Sequence, residues 1–349
     1  MPFEPRRIAI IKPSALGDIA HAVPVLSALR ERFPTANISW VVNRSFEPLL
    51  AGHPHLTDTI AFDRGAFKRG PVEATAYTLQ FANALRRRRF DLVIDLQGLL
   101  RTGLMAAATG APLRVGFANA REGATRFYTH RIPVDESSHA VEWYWEVAKF
   151  LGAGDRPKRF VLPVRDDELA AVDAELAGLP RPWVSVAVGA RWLTKRWPTA
   201  HFADLANRMF ARFGGTVLLV GAPDDTALSL EVSAKLHGPF RDLTGKTPLP
   251  KLVAVLSRSD VVVANDTGPL HVAAALGRPC VAPYTCTKAA RHGPYTSPGG
   301  GVETAVPCGG SYVRRCPHGT VCFADLTPDR LWPPLATVLE TWAARSRSA

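Results

Sequence analysis

Apolar residues along this chain follow two rhythms that alternate. Short unbroken runs of strand length, such as Ile8-Ala9-Ile10-Ile11, Leu92-Val93-Ile94 and Val261-Val262-Val263-Ala264, are separated by longer stretches with apolar residues at helical spacing. In the first half this predicts strand 7–11, helix 18–33, strand 38–42, strand 59–62, helix 73–88, strand 92–96 and helix 98–109. Unbroken apolar runs suit strands buried on both faces, so a mostly parallel sheet with crossover helices follows. Residues 152–163, with Gly152, Gly154, Pro157 and Pro163 among charges, break the rhythm. After a helix at 166–176 the alternation restarts, with strands at 184–188, 216–220, 261–264 and 280–283 and helices at 199–213, 225–236, 250–257 and 268–276. The stretch 285–322, rich in Gly, Pro, Cys and basic residues, reads as loop, and Pro328 opens a last helix running to 344.

The fold class expected is therefore α/β, with two doubly wound domains at 1–160 and 161–325 and a C-terminal helix at 326–349 that could pack back on the first domain. Sheets of this kind put ligand sites at strand carboxyl ends, and the natural active site of such a pair is the cleft between them. With 349 residues, 47% of them hydrophobic, the chain has material for two cores. No apolar run approaches the roughly 20 residues of a membrane span. The N-terminal lead into a short apolar strand is too brief for a signal peptide, so a cytoplasmic location is expected. Lys and Arg number 42 against 31 Asp and Glu, a net charge of +11. That surplus suggests an anionic partner: nucleic acid, a phosphate-bearing ligand or a membrane surface.

Candidate chemistry sits in loops that directly follow strands. Lys12-Pro13-Ser14-Ala15-Leu16-Gly17-Asp18 leads from the first strand into the first helix. Gly17 would permit a tight turn, and Asp18 either caps the helix or projects its carboxylate over the sheet's carboxyl edge. The segment lacks the three glycines of a dinucleotide fingerprint and the ending of a Walker loop, which removes support from NAD chemistry and P-loop hydrolysis. In Asn265-Asp266-Thr267-Gly268-Pro269-Leu270-His271, the Thr267 and Gly268 amides would lie at a helix start, where unpaired donors and the dipole favour phosphate. His271 would follow one turn in. Arg191, Lys195 and Arg196 share the loop after strand 184–188 with Trp192 and Trp197, placed either to neutralise phosphate or as a solvated basic loop anchored by Trp197. Asp224 and Asp225, after strand 216–220, offer a carboxylate for sugar hydroxyls or a helix cap. Arg86 to Arg89 end a helix, either complementing its dipole or facing an anionic membrane.

The five cysteines, Cys280, Cys286, Cys308, Cys316 and Cys322, all fall in the last quarter. Cys308, Cys316, Cys322 and His318 make a chemically sensible tetrahedral metal set, although their spacings are looser than zinc patterns; the other reading is reduced, unligated thiols.

Ser14 to Asp18 with Pro24, Asp95-Leu96-Gln97-Gly98, Lys195-Arg196-Trp197-Pro198, and Asn265 to His271 followed by Ala273-Ala274-Ala275 together resemble the lipopolysaccharide heptosyltransferases of glycosyltransferase family nine. The likeness runs from Ile8 to Leu331. It implies the GT-B fold, two Rossmann-like domains facing across a cleft, and inverting transfer of heptose from ADP-heptose to a lipid-linked inner-core sugar at the cytoplasmic face of the inner membrane. It further implies Asp18 as general base and Lys195 as stabiliser of the departing diphosphate. Ser14 and Gly17 fall on the acceptor side, and Arg191, Asp225, Asp266, Thr267, Gly268 and His271 on the donor side. No cofactor is expected to be needed for catalysis, any metal at the cysteines being structural. Two other readings stay open on residues alone: a nucleotide-sugar epimerase of the same two-domain plan, and a nucleic-acid-binding protein, for which no helix-turn-helix, zinc-finger or RNP motif is found.

Overall fold

The two rhythms resolve into two six-stranded parallel sheets, one on each side of a division after Pro163, three residues beyond the expected boundary. The computed structural model describes residues 4–348. Residues 1–3, part of the N-terminal lead, and Ala349 lie outside the described residues.

The first unit runs β1 (Arg7–Ile11), α1 (Leu16–Arg32), β2 (Asn37–Asn43), β3 (Asp58–Phe62), α2 (Pro71–Arg87), β4 (Leu92–Asp95), α3 (Leu100–Ala108), β5 (Leu113–Phe117), β6 (His130–Ile132) and α4 (Ala140–Phe150). Its strand order is β3-β2-β1-β4-β5-β6. The chain winds outward from β1, then returns to pair β4 on the other side of β1, so the order reverses between these two strands. Ile8, Ala9, Ile10 and Ile11 are wholly buried, as the central strand of a sheet covered on both faces must be.

The second unit runs α5 (Asp166–Glu175), β7 (Trp183–Ala187), α6 (Thr199–Phe213), β8 (Thr216–Leu219), α7 (Thr226–Ser233), β9 (Phe240–Asp242), α8 (Leu249–Arg258), β10 (Val261–Ala264), α9 (Gly268–Ala275), β11 (Cys280–Tyr284), α10 (Ala289–His292), β12 (Gly299–Glu303), α11 (Cys322–Asp325) and α12 (Pro328–Ser348). Its order, β12-β11-β10-β7-β8-β9, repeats the first with the reversal between β7 and β10. The repeat reaches side-chain detail. Asp91, just before β4, accepts from the amides of Arg6 and Arg7 at 2.8 and 2.9 Å. Asp260, just before β10, accepts from Trp183 N at 2.7 Å and from Arg181 through both oxygens at 2.8 Å. Each aspartate satisfies the amide end of the neighbouring first strand, which has no ladder partner there.

Among the described residues the strands β5, β6 and β9 and the helices α4, α10 and α11 were not legible. β12 also corrects the reading of 285–322 as loop. Its Gly299-Gly300-Gly301 run argues against a strand by propensity, yet it pairs with β11 at the sheet edge. Packing explains the residue choice, since a Cβ on Gly301 would lie 2.7 Å from the Tyr284 ring. Gly17 likewise differs from expectation. It sits inside the first turn of α1 and is absent from the glycines at positive φ, so the turn does not depend on it. The 326–349 segment, expected as a helix that could pack back on the first domain, forms α12 and uses its apolar face within the second unit. There Leu331, Leu335, Val338 and Leu339 join the cluster built on Trp197, Phe202 and Met209.

One buried histidine ties the end of the first unit to its β2–β3 connection. His53 Nε2 donates to Val161 O at 2.7 Å, and its Nδ1 accepts from His55 N at 3.1 Å, so the ring is bound as the neutral tautomer. Burial lowers its pKa to about 4. Between that value and an unfolded value of about 6.5, the unfolded chain binds the extra proton, so stability falls as pH falls through this window. Denaturant unfolding should lose about 2 kcal/mol between pH 7 and pH 5 from this group. His53→Gln should flatten the dependence, and an unfolding free energy that holds steady or rises on acidification in the wild-type chain contradicts the assignment.

Candidate active site

Where strand order reverses, the connections leaving the two adjacent strands go to opposite faces of the sheet and leave a notch at their carboxyl ends. Both units carry their chemistry there. In the first, β1 is followed directly by Lys12, which is 3% exposed, with its carbonyl held by Trp40 Nε1 at 3.2 Å. The Lys12 ammonium lies 4.0 Å from Asp18 Oδ2 and 5.1 Å from the centre of the Tyr144 ring. Burial alone would lower its pKa, but Tyr144, Asp18 and Asp95 outweigh that and hold it above the ordinary lysine value.

Asp18 stands in the first turn of α1, where Oδ2 accepts from Ala15 N at 2.9 Å. It therefore does cap the helix, and with 41% of its side chain exposed it also presents a carboxylate to solvent, backed by a buried cation. Ser14 N donates to Gln97 Oε1 at 3.4 Å, joining this loop to the one after β4. There Asp95 is wholly buried: Oδ1 accepts from the amides of Gln97 and Gly98 at 2.8 and 3.1 Å, and Oδ2 from the Tyr128 hydroxyl at 2.7 Å. Burial raises the Asp95 pKa even against these bonds.

In the second unit the loops after β7 and β10 are stapled by Asn265, whose Oδ1 accepts from Trp197 N at 3.1 Å while Nδ2 donates to Val188 O at 2.8 Å. Next to it, Asp266 is 5% exposed and gathers three side chains. Lys195 Nζ reaches Oδ2 at 2.5 Å, the Thr287 hydroxyl donates to Oδ2 at 2.7 Å, and His271 Nε2 lies 3.1 Å from Oδ1. Burial would raise this carboxyl, but the hydrogen bond and charge of His271 and the charge of Lys195 hold it well below the usual carboxylate range. Thr267 is the N-cap residue of α9, and Gly268 is its first residue, so the unpaired amides of that helix start open beside the Lys195–Asp266 pair.

The remaining donor-side expectations divide. Asp225 accepts from Ala222 N at 3.0 Å, and its carboxylate lies so close to Gly189 that a Cβ there would fall 2.1 Å from Oδ1. It thus rests on the end of β7, whereas Asp224 is exposed. Arg191 is exposed on the same loop, and Arg196 turns its Nε to Ala190 O at 2.7 Å and shapes the backbone. Trp197 is an anchor, donating Nε1 to Leu326 O at 2.6 Å.

Several residues of both sites escaped the sequence reading. Lys12 and Asp95 stand in the segments 12–18 and 95–98, and the signal that marks them is an ionisable residue at the carboxyl end of a buried strand. Thr287 and Arg314 come from the stretch taken as loop. That stretch is bound to the Lys195 turn by Thr194 Oγ1 to Val313 O at 2.7 Å and Thr285 Oγ1 to Thr194 O at 2.5 Å. Lys195 and Arg314 both lie over the Trp192 ring, at 5.0 and 5.1 Å from its centre.

The expected metal set is not assembled. Among the described residues no three His, Cys, Asp or Glu are placed to hold a metal ion, and all five thiols are free. The depths differ: Cys322 is buried whereas His318 is exposed, and Cys316 Sγ instead accepts from the amides of His318 and Thr320, both at 3.3 Å. Burial and then the neighbouring Cys316, Cys308 and Cys286 push the Cys322 thiol up to about 11, so it stays protonated at neutral pH.

Comparison with known proteins agrees with this geometry. The family model for glycosyltransferase family 9 (heptosyltransferase) matches residues 78–321. Lipopolysaccharide heptosyltransferase 1 of Pseudomonas aeruginosa is 28% identical, the match covering 95% of this chain and 98% of that protein. Lipopolysaccharide core heptosyltransferase OpsX of Haemophilus influenzae is 25% identical over 84% of this chain and 83% of its own. Among solved structures, a family 9 glycosyl transferase from Veillonella parvula superposes with a TM-score of 0.83 at 23% identity, over 98% of this chain and 99% of that one. The E. coli ADP-heptose lps heptosyltransferase II superposes at 0.76 with 25% identity, over 97% and 99%. With two Rossmann-like units of the GT-B class and a family match over most of its length, the chain belongs to glycosyltransferase family 9, the heptosyltransferases.

Proposed function

We propose that the chain transfers heptose from ADP-heptose to an inner-core sugar of lipopolysaccharide, with inversion at the anomeric carbon. The observation that carries this reading is the Lys195–Asp266 pair beside the start of α9. A cation fixed at 2.5 Å next to unpaired helix amides suits a diphosphate that gains charge as it leaves. Asp266 acts as a positioning residue: it orients Lys195 and His271, while the Thr267 and Gly268 amides face the phosphates. Arg191 and Arg314 extend the cationic surface, and Asp225 is available to the ribose hydroxyls.

The acceptor belongs to the first unit, near Ser14 and Gly17. As the acceptor oxygen attacks the anomeric carbon, the bond from that carbon to the diphosphate breaks, ADP departs, and the acceptor proton passes to Asp18. Lys12, buried behind Asp18, keeps a positive charge near that carboxylate and aims it. The acceptor is lipid-linked, so the enzyme works against an anionic membrane surface, to which Arg86, Arg87 and Arg89 are exposed; Arg88 is paired with Asp58. Among the described residues no helix is long and apolar enough to cross a membrane, so the contact proposed is peripheral.

Asp18→Asn should abolish transfer while ADP binding, followed by calorimetry, stays within about twofold; full turnover by this variant removes Asp18 from its role. Lys195→Ala should lower kcat/KM by about 10² to 10³, the size expected for losing a charged donor to the leaving group. A loss under fivefold in single-turnover assays would show that the diphosphate is stabilised elsewhere. Because cationic side chains and a helix start can hold the diphosphate, activity should persist in EDTA; complete loss that magnesium restores contradicts this.

A further inference from the structure

Helices α2 and α3 pack against each other with an apolar cavity of about 300 Å³ left between them. On α2 the facing side chains are Tyr77, Phe81 and Leu85, each four residues apart, and on α3 they include Leu104 and Met105; Phe62 at the end of β3 and Phe67 in the following turn complete the wall. An apolar groove of this size is large enough to take part of a ligand. At about 30 Å³ per group it holds a segment of roughly ten methylene-sized units.

The surroundings state what kind of ligand. Phe67 is 46% exposed and Leu104 49%, so the groove opens to solvent at an apolar rim. Arg101 lines it with its guanidinium 5.9 Å from the centre of the Phe62 ring, and its Nε is buried without a hydrogen-bond partner among the described residues. From Asp58 to Arg89, the segment carrying the turn and α2, seven Lys and Arg stand against three Asp and Glu. Apolar walls, a guanidinium whose buried Nε has no partner among the described residues, and a cationic surround are complementary to an anionic amphiphile.

We propose that this groove seats an acyl chain of an anionic membrane lipid, with the lipid's phosphate at Arg101, and so docks the first unit on the bilayer. The proposal rests on the reading of a lipid-linked acceptor and gives that reading a surface. Phe62 ends β3, and α3 follows β4, so the groove begins at the same carboxyl edge of the sheet as Asp18. A lipid held there keeps the enzyme on the membrane with its acceptor edge toward the sugars.

The test is sedimentation of the full chain with phosphatidylglycerol–phosphatidylcholine vesicles and with phosphatidylcholine vesicles, at low and high salt, for the wild type, Phe67→Ser/Leu104→Gln and Arg101→Gln. Both changed apolar residues are half-exposed, and thermal melts matching the wild type confirm folding; Arg101→Gln supplies a second, polar arm. The expected result is partition onto the phosphatidylglycerol vesicles that each variant lowers at least tenfold. Equal binding by wild type and both variants, with release by salt alone, would show a purely electrostatic surface and overturn the groove. Heptose transfer to a deacylated, water-soluble core acceptor should be unchanged in Phe67→Ser/Leu104→Gln. If the wild type fails on that soluble acceptor as well, the functional reading fails, and the vesicle result still decides the groove.

Discussion

The reversal of strand order next to the first strand of each sheet is the constraint on which the chemistry depends. A parallel sheet needs a crossover between successive strands, and crossovers of one hand run the chain outward until it must return to the other side of its starting strand. At that return the loops leaving β1 and β4, or β7 and β10, part to opposite faces. Backbone donors and side chains can then converge on a ligand without the sheet having to open. Lys12 to Asp18 and Asp95 to Gly98 occupy one such notch, and Gly189 to Trp197 and Asn265 to His271 the other.

Each notch is built around a buried charge that could not stand alone. Asp95 accepts from two amides and a tyrosine hydroxyl, and Asp266 from a lysine, a threonine and a histidine. An unpaired carboxylate at such depth would lose its charge or destabilise the fold. The networks therefore do two things together: they satisfy a buried acid and they fix the loops that carry the reactive groups. The contrast between them is informative. Burial raises the pKa of Asp95 and its hydrogen bonds from neutral partners do not offset that, whereas at Asp266 the interactions with His271 and Lys195 outweigh burial and lower it. The second arrangement fixes the position of the Lys195 ammonium against Asp266.

Much of this was legible in the sequence because the signals were local. Buried strands show as unbroken apolar runs, and a polar loop directly after such a run marks a carboxyl-end site; Asp18, Lys195 and Asp266 were all found that way. Elements that owe their form to distant contacts were not legible. In β12 Gly301 is crowded by Tyr284 and Ala289 while Gly299 and Gly300 take positive φ, and β5 carries Gly116 where a Cβ would meet the Tyr128 ring at 2.4 Å. Thr287 reaches Asp266 across 21 residues, and Arg314 meets Trp192 where segments about a hundred residues apart are bonded together. Among the described residues Cys308, Cys316, Cys322 and His318 are not gathered into one set, since spacing says nothing of the different depths at which Cys322 and His318 lie.

The proposed reaction joins a nucleotide-activated heptose to a core sugar with inversion. Its most direct measurement is the product of the full chain incubated with ADP-heptose and a soluble inner-core acceptor, analysed by mass and by NMR of the new anomeric centre. The expected result is an acceptor heavier by one heptose, its anomeric configuration opposite to that of the donor, with ADP released in equal amount. A retained configuration, or consumption of the donor that proceeds equally without acceptor, would contradict the account.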